Sequence, residues 1–349
     1  MMIRLLSVLI LVGIIAVGCS GDESETSPTG PRFPESQVFE KLSDYRLFEG
    51  SLSDLKPVEG VLPYDLNSPL FTDHASKFRF VYVPNGDVAS YDTTDVLTFP
   101  KGTILVKNFY YTLQSGEDFI IETRLLLHQS SGWNLEVYEW NDEQTEAYRN
   151  IVGNTKPLSF VANGQSYTVD YVIPNKNQCK NCHARGNDEK PIGPVVQNLN
   201  KNYSYSDGVE NQLTKWVEAG ILEQPNHSEI PAWADYTDET RSLNDRARVY
   251  LEVNCAHCHQ KNGSAYNSGL FLNYYNTDSL SLGFNKTPVA AGAGSGGLDY
   301  VIVKGDADAS ILHYRMNSTS TKVMMPELGR TLIDEEGVAL IREWINSIE

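Results

Sequence analysis

The rhythm of apolar and polar positions changes three times along this chain. Residues 5–17 form an apolar run, interrupted only by Ser7, behind a single charge, Arg4. The run is shorter than the roughly 20 residues a membrane-spanning helix needs, and its place behind a cation predicts the core of a signal peptide. Residues 20–32 are rich in Ser, Thr, Gly, Pro and acid, which reads as a solvated tether. From residue 78 to 173 the pattern is strand-like. Residues 78–83, 103–111, 119–128, 133–140 and 167–173 are dense in β-branched and aromatic side chains, as strands of a sandwich or twisted sheet should be. Pro84-Asn85-Gly86-Asp87 predicts a hairpin turn between residues 78–83 and 88–91, and Asn163-Gly164 another between 158–161 and 167–172.

After Gln178 the spacing becomes helical, in short pieces. Residues 211–219 place Leu213, Trp216 and Val217 on one face, and Gly220 ends them. Residues 244–254 do the same with Ala247, Val249, Tyr250 and Val253. Asp334-Glu335-Glu336 then opens a last helix, acidic where the helix dipole favours acid, with Val338, Ile341, Trp344 and Ile345 on one side. The glycine-rich stretch 291–297 lacks a Lys-Ser/Thr ending and a flanking βαβ pattern, so it reads as a turn and not a nucleotide loop.

The five cysteines carry the chemistry. Cys19 follows Ala16-Val17-Gly18, which resembles a bacterial lipobox in which Cys19 becomes the lipid-bearing first residue; Ala16 departs from the usual leucine. The other four form Cys179-Lys-Asn-Cys182-His183 and Cys255-Ala-His-Cys258-His259. Two thiols and an adjacent imidazole, in that order, suit thioether bonds to porphyrin vinyl groups and ligation of the iron. A thioredoxin-like pair, a four-thiolate zinc site or structural disulfides would not require the histidine that follows each pair. Two covalently bound haem c groups are therefore expected.

The expected fold class is α+β: a β-rich N-terminal domain over residues 36–173, then two mainly α-helical cytochrome c-type haem segments, 174–238 and 239–349. The second is class I cytochrome c-like, and a signal peptide (1–18) and tether (19–35) precede them all. In a class I domain the distal iron ligand is a methionine before the last helix; Met324-Met325-Pro326 makes Met325 the candidate, with Met324 second. No methionine lies between Met2 and Met316, so the first haem takes a histidine, another weaker donor, a methionine from the second domain, or nothing. His128, at the end of a predicted strand, ranks first and His227 second, ahead of His74 and His313. Arg315 and Arg330 are candidates to pair haem propionates.

From about Lys41 to Ile348 the chain resembles a family of exported bacterial dihaem c-type cytochromes. The resemblance is carried by residues 61–73, 121–126, 140–147, 179–183, 253–259 and 324–329. It implies haem binding and electron transfer but no substrate. It also implies an envelope redox partner, which could be the parallel β-helix repeat protein often encoded beside family members.

Composition adds limits. The net charge of −17 argues against nucleic acid as a partner and fits a soluble exterior. The expected setting is the periplasm or outer membrane, with membrane attachment through lipid on Cys19. Function is expected to be electron transfer and not catalysis, the alternatives being a peroxidase-like dihaem enzyme with an open first haem, or a partner- or glycan-binding module with a cytochrome outlet.

Overall fold

Residues of alternating character between 61 and 149 assemble one sheet. In the computed structural model, which describes residues 30–224 and 230–349, its strands are β1 (Val61–Tyr64), β2 (Ser76–Tyr82), β3 (Ile104–Thr112), β4 (Asp118–Gln129), β5 (Gly132–Trp140) and β6 (Ala147–Arg149). They lie in sequence order and every neighbour is antiparallel. A separate hairpin follows, β7 (Asn154–Ala162) and β8 (Gln165–Ile173). Its turn, Asn163-Gly164, has both φ values positive (50° and 74°), the geometry that matches strand twist and that Asn-Gly tolerates.

The other predicted hairpin is not formed. β2 pairs with β1 and β3, while Pro84–Asp87 is only a local turn, closed by Asp87 N donating to the Pro84 carbonyl at 3.3 Å. The chain then leaves the sheet, and Ala89 bridges Leu222 instead. Residues 88–91 are too few to compete with the nine-residue β3, which buries residues on both faces.

One face of the sheet is closed by the N-terminal segment. Phe80, Ile104, Val106, Leu125, Leu127 and Tyr138 pack against Val38, Leu42, Tyr45 and Leu47, and the hydroxyls of Tyr45 and Tyr138 lie 2.7 Å apart inside this layer. The opposite face receives the rest of the chain. Leu105 and Val81 meet Leu213 and Trp216, whereas Phe109, Leu135 and Val137 meet Phe160 and Tyr171 of the hairpin.

The expectation of two mainly α-helical segments is overturned. The described residues hold six short helices: α1 (Lys176–His183), α2 (Val196–Leu199), α3 (Gln212–Glu218), α4 (Leu243–Leu251), α5 (Ile311–Met316) and α6 (Glu335–Asn346). Most of the connecting chain is turn, and a further hairpin, Asn202–Tyr205 with Gly208–Asn211, lies in the first segment. The reason lies in the spacing. Buried Ile221, Leu222, Leu270, Leu272, Val301 and Ile302 sit between Gly, Pro and Asn residues that break helices, so turns and not helical faces carry the apolar contacts. No helix among the described residues is long and apolar enough to cross a membrane.

The terminal pair of helices does follow the expected pattern. Asp334 caps α6 by accepting from Gly337 N at 3.0 Å, and Leu340, Ile341, Trp344 and Ile345 join the core against α4. A Cβ at Gly337 would stand 2.3 Å from the ring of Tyr250, so glycine there lets the helices close. Tyr250 Oη completes the contact by donating to Asp334 Oδ2 at 2.9 Å.

Candidate functional site

The first Cys-x-x-Cys-His segment is set by a capping box. Asn175 Oδ1 accepts from Gln178 N, and Gln178 Oε1 accepts from Asn175 N, both at 2.9 Å. This starts α1 three residues before Cys179 and puts Cys179, Cys182 and His183 on one side, at the helical spacings i, i+3 and i+4. The chain then turns through Ala184–Arg185 and Asp188–Glu189 and brings the Lys190 carbonyl to His183 Nδ1, 2.7 Å away. That bond places the proton on Nδ1 and leaves Nε2 as a bare donor atom, the arrangement that orients a metal-binding imidazole. Burial pushes His183 down to about 3, and His257, Lys107 and Arg124 add to the shift, so this imidazole is neutral at ordinary pH.

The second segment is delivered differently. Ser242 Oγ caps α4 by accepting from Asp245 N at 3.1 Å. Past Leu251 the helix widens into a π-helical turn, Glu252–Ala256, that carries Cys255. His259 Nδ1 lies 3.3 Å from Ser268 Oγ, and that hydroxyl donates to the Ala265 carbonyl at 2.7 Å, so it accepts from the ring. Burial pushes His259 down to about 4 and the Cys255 thiol up to about 12.

The fold brings the two segments together. The donor atoms of Cys182, His257 and Cys258 all lie within 4.8 Å of one another. Cys258 Sγ also donates to the Asn181 carbonyl at 3.4 Å, and Arg185 Nη1 donates to the His257 carbonyl. A hydrogen bond between the thiols raises Cys182 and lowers Cys258. His257 Nδ1 is buried with no hydrogen-bond partner.

Beside this junction is a cavity of about 300 Å³, bordered by Lys107 and Arg124 of the sheet, Cys182 and His183, His257, and Met325. A smaller neighbouring cavity is lined by Cys179, Cys182 and His183 together. The methionine wall is braced from behind. Nη2 of Arg330 donates to the carbonyls of Met316, Ser318 and Met325 at 3.2, 2.9 and 2.8 Å, and Nη1 to that of Leu332 at 2.8 Å. From the other side the Asp73 carboxylate accepts from Thr331 N and Leu332 N at 2.8 Å and from Thr331 Oγ1 at 2.9 Å. Asp73 and His74 both adopt left-handed backbone, φ 46° and 61°, a region that Asp and His enter more readily than most side chains.

Of the residues expected at the site, Cys179, Cys182, His183 and Met325 reach these cavities. Cys255, Cys258 and His259 line neither cavity, although their chain neighbours Asn254, His257 and Gln260 border the larger one. Met324 is buried. His128 is not brought to the site: Nδ1 donates to the Pro100 carbonyl at 3.0 Å, Nε2 faces Lys101 Nζ at 3.1 Å, and the ring stacks on Trp133 at 4.3 Å. It stands one residue before the end of β4 and lines neither cavity. His74 packs against Phe71 and Tyr167, and Arg315 Nε donates to the Val323 carbonyl at 2.8 Å. Arg330, expected as a propionate partner, gives its protons to the methionine loop instead. His227 and Cys19 lie outside the described residues.

Sequence reasoning missed Lys107, Asp73 and His257. The signal for Lys107 was present in the alternation of residues 104–109, where a cation falls on a face otherwise apolar. Comparisons with protein-family models, with curated proteins and with solved structures each return no match.

Proposed function

We propose that this chain is a dihaem c-type cytochrome that passes single electrons in the cell envelope, as the resemblance to the exported dihaem family implies. The observation that carries this reading is the convergence of Cys179–His183 and Cys255–His259 on one region, with His183 Nδ1 committed to the Lys190 carbonyl and Nε2 left as a ligand. The donor set fits: each segment offers two thiols and an imidazole, and a thioether sulfur, Met325, stands on the cavity wall. A bound haem supplies a one-electron couple at its iron.

The chain's own residues have four tasks in this reading. Cys179, Cys182, Cys255 and Cys258 fasten the two groups. His183 and His259 are oriented by the Lys190 carbonyl and Ser268. Arg330 and Asp73 fix the loop that offers Met325. The apolar sheet face and the Trp216 layer limit water. The thiols of Cys182 and Cys258, one from each segment, are neighbours, so what the two segments hold is held close together, as electron exchange between them requires. Export, attachment through lipid on Cys19, and an envelope redox partner, including a parallel β-helix repeat protein, belong to the same proposal.

Absorption spectroscopy and iron analysis of protein made in a host that matures c-type cytochromes test this. Two irons per chain and visible bands that survive acid-acetone extraction are expected. A colourless chain ends the reading. The close approach of Cys182, His257 and Cys258 favours one rival, a three-donor site for a soft metal such as zinc; one tightly held zinc and no iron would establish it.

A further inference from the structure

The inner face of the sheet carries a charge pattern that packing alone does not explain. Lys107 on β3 stands directly opposite Arg79 on β2 and Arg124 on β4, so three cations form one row across three strands. All three border the cavity that Cys182 and His183 also line. Like charges directly opposite on a sheet repel, and a buried cation without a partner is costly.

The flanking arginines have counter-ions. Arg79 Nη1 donates to Asp65 Oδ1 at 2.7 Å, and Arg124 Nε to Glu122 Oε2 at 3.0 Å. Glu122 is itself shared, accepting from Tyr171 Oη at 2.6 Å. Among the described residues no carboxylate lies within salt-bridge distance of Lys107, whose ammonium sits 4.7 Å from the ring centroid of Phe109. Burial, with Arg79, Lys77 and Arg124 nearby, pushes Lys107 well below the usual lysine range. The cavity's own carboxylates are engaged elsewhere: Asp95 with Lys190 at 3.0 Å, Glu252 with Tyr274 N at 2.5 Å, and Asp334 with Tyr250 and Gly337.

We propose that the Arg79–Lys107–Arg124 row is a seat for carboxylates, and that it takes the propionates of the porphyrin fastened at Cys179 and Cys182. The proposal rests on the haem reading of that segment. An incoming carboxylate supplies the missing counter-charge to Lys107, in the geometry that charge-assisted bonds to lysine and arginine favour. It also gives the β-rich region a role the strand pattern did not suggest: the sheet becomes one wall of the redox site, and its charge tunes the couple. A fixed cation beside the group favours the reduced form, because reduction removes one positive charge from the iron.

The test is a spectroelectrochemical titration of the full, haem-loaded chain and its Lys107→Met and Lys107→Arg variants. In Lys107→Met, one of the two couples shifts toward the oxidised form by about tenfold in the ratio at fixed ambient potential, which is about 59 mV for one electron. Lys107→Arg restores it, and all three proteins hold two haems. Two unmoved couples in a fully loaded Lys107→Met variant overturn the propionate seat while the dihaem reading stands. A wild-type chain with no covalent haem ends that reading and the proposal with it. Calorimetric titration with succinate and malonate distinguishes a diffusible source: saturable binding to the loaded wild type that Lys107→Met abolishes would assign the row to a free anion and overturn the propionate assignment.

Discussion

The two Cys-x-x-Cys-His segments share a five-residue signal but stand in different surroundings. The first opens its own helix from a capping box and faces a charged sheet across a cavity. The second closes a longer helix through a widened turn whose Cys255 feels the charge of Arg330, which with Asp73 braces the Met325 loop; Met325 itself stands on the wall of the cavity that Cys182 and His183 border. The motif specifies which atoms are offered; the fold decides what stands opposite them. On the proposed reading this is how one chain holds two groups of unequal potential, since a methionine ligand raises the potential relative to a second histidine.

Removing either segment is the strongest way to break the comparison. Replacing Cys179 and Cys182 by serine should halve the iron content, and replacing Cys255 and Cys258 should halve it too, but the couples that survive should differ. Identical surviving potentials in redox titrations would erase the distinction between the segments. Met325→Leu comes next: one couple should fall and the other stay, read by the same titration and by loss of the sulfur-to-iron absorption band. A change in both couples, or neither, would remove Met325 from the second site.

Asp73→Ala probes the brace. It strands two half-buried N–H groups and a hydroxyl, which should cost about 2 kcal/mol in urea unfolding and alter the Met325-dependent couple before the other. Lys77 sharpens the electrostatic side. Burial holds it down at about 7, well under the lysine value in an unfolded chain near 10.4. Between those values the unfolded state binds the extra proton, so stability rises with pH across about 7 to 10.4, by on the order of 1 kcal/mol per unit, and is lost as pH falls toward 7. Lys77→Met should lessen that slope by one proton's share in denaturation curves recorded across the window, the remainder coming from groups such as Lys107, which burial also pushes down. The smallest effect belongs to His128→Gln. With both ring nitrogens already engaged at Pro100 and Lys101, the substitution should leave the visible spectrum and both couples as they are.

Much of the local structure was legible along the chain. Asp334 capping an acidic first turn, Gly220 after α3 and Asn163-Gly164 in the hairpin each depend on a few adjacent residues, and each appears where the pattern placed it. What depends on pairing was not legible. The six-stranded order and the failure of residues 78–83 to pair with 88–91 follow from competition between distant strands. The overstated helical content has a related cause: the three helices read from the spacing do form, but the apolar residues between them, which no helical spacing covers, are buried in turns. At the site, each cysteine motif could be read alone, but the approach of Cys182 to Cys258 could not. His128 satisfied the sequence criterion for a ligand and was claimed by Pro100, Lys101 and Trp133. The cations on β2, β3 and β4 would be taken for a solvent face until the register set them in one row beneath the rest of the chain.

The Asp73 clamp has a consequence for how the molecule is put together. Asp73 precedes Thr331 by 258 residues, so the wall bearing Met325 and Leu328 can settle only after the sheet and both cysteine pairs have been made. Until then the sheet and the first cysteine pair face an open basin. A rigid, bulky group enters such a basin more easily than it enters the finished cavity, and the later-made segment then closes behind it.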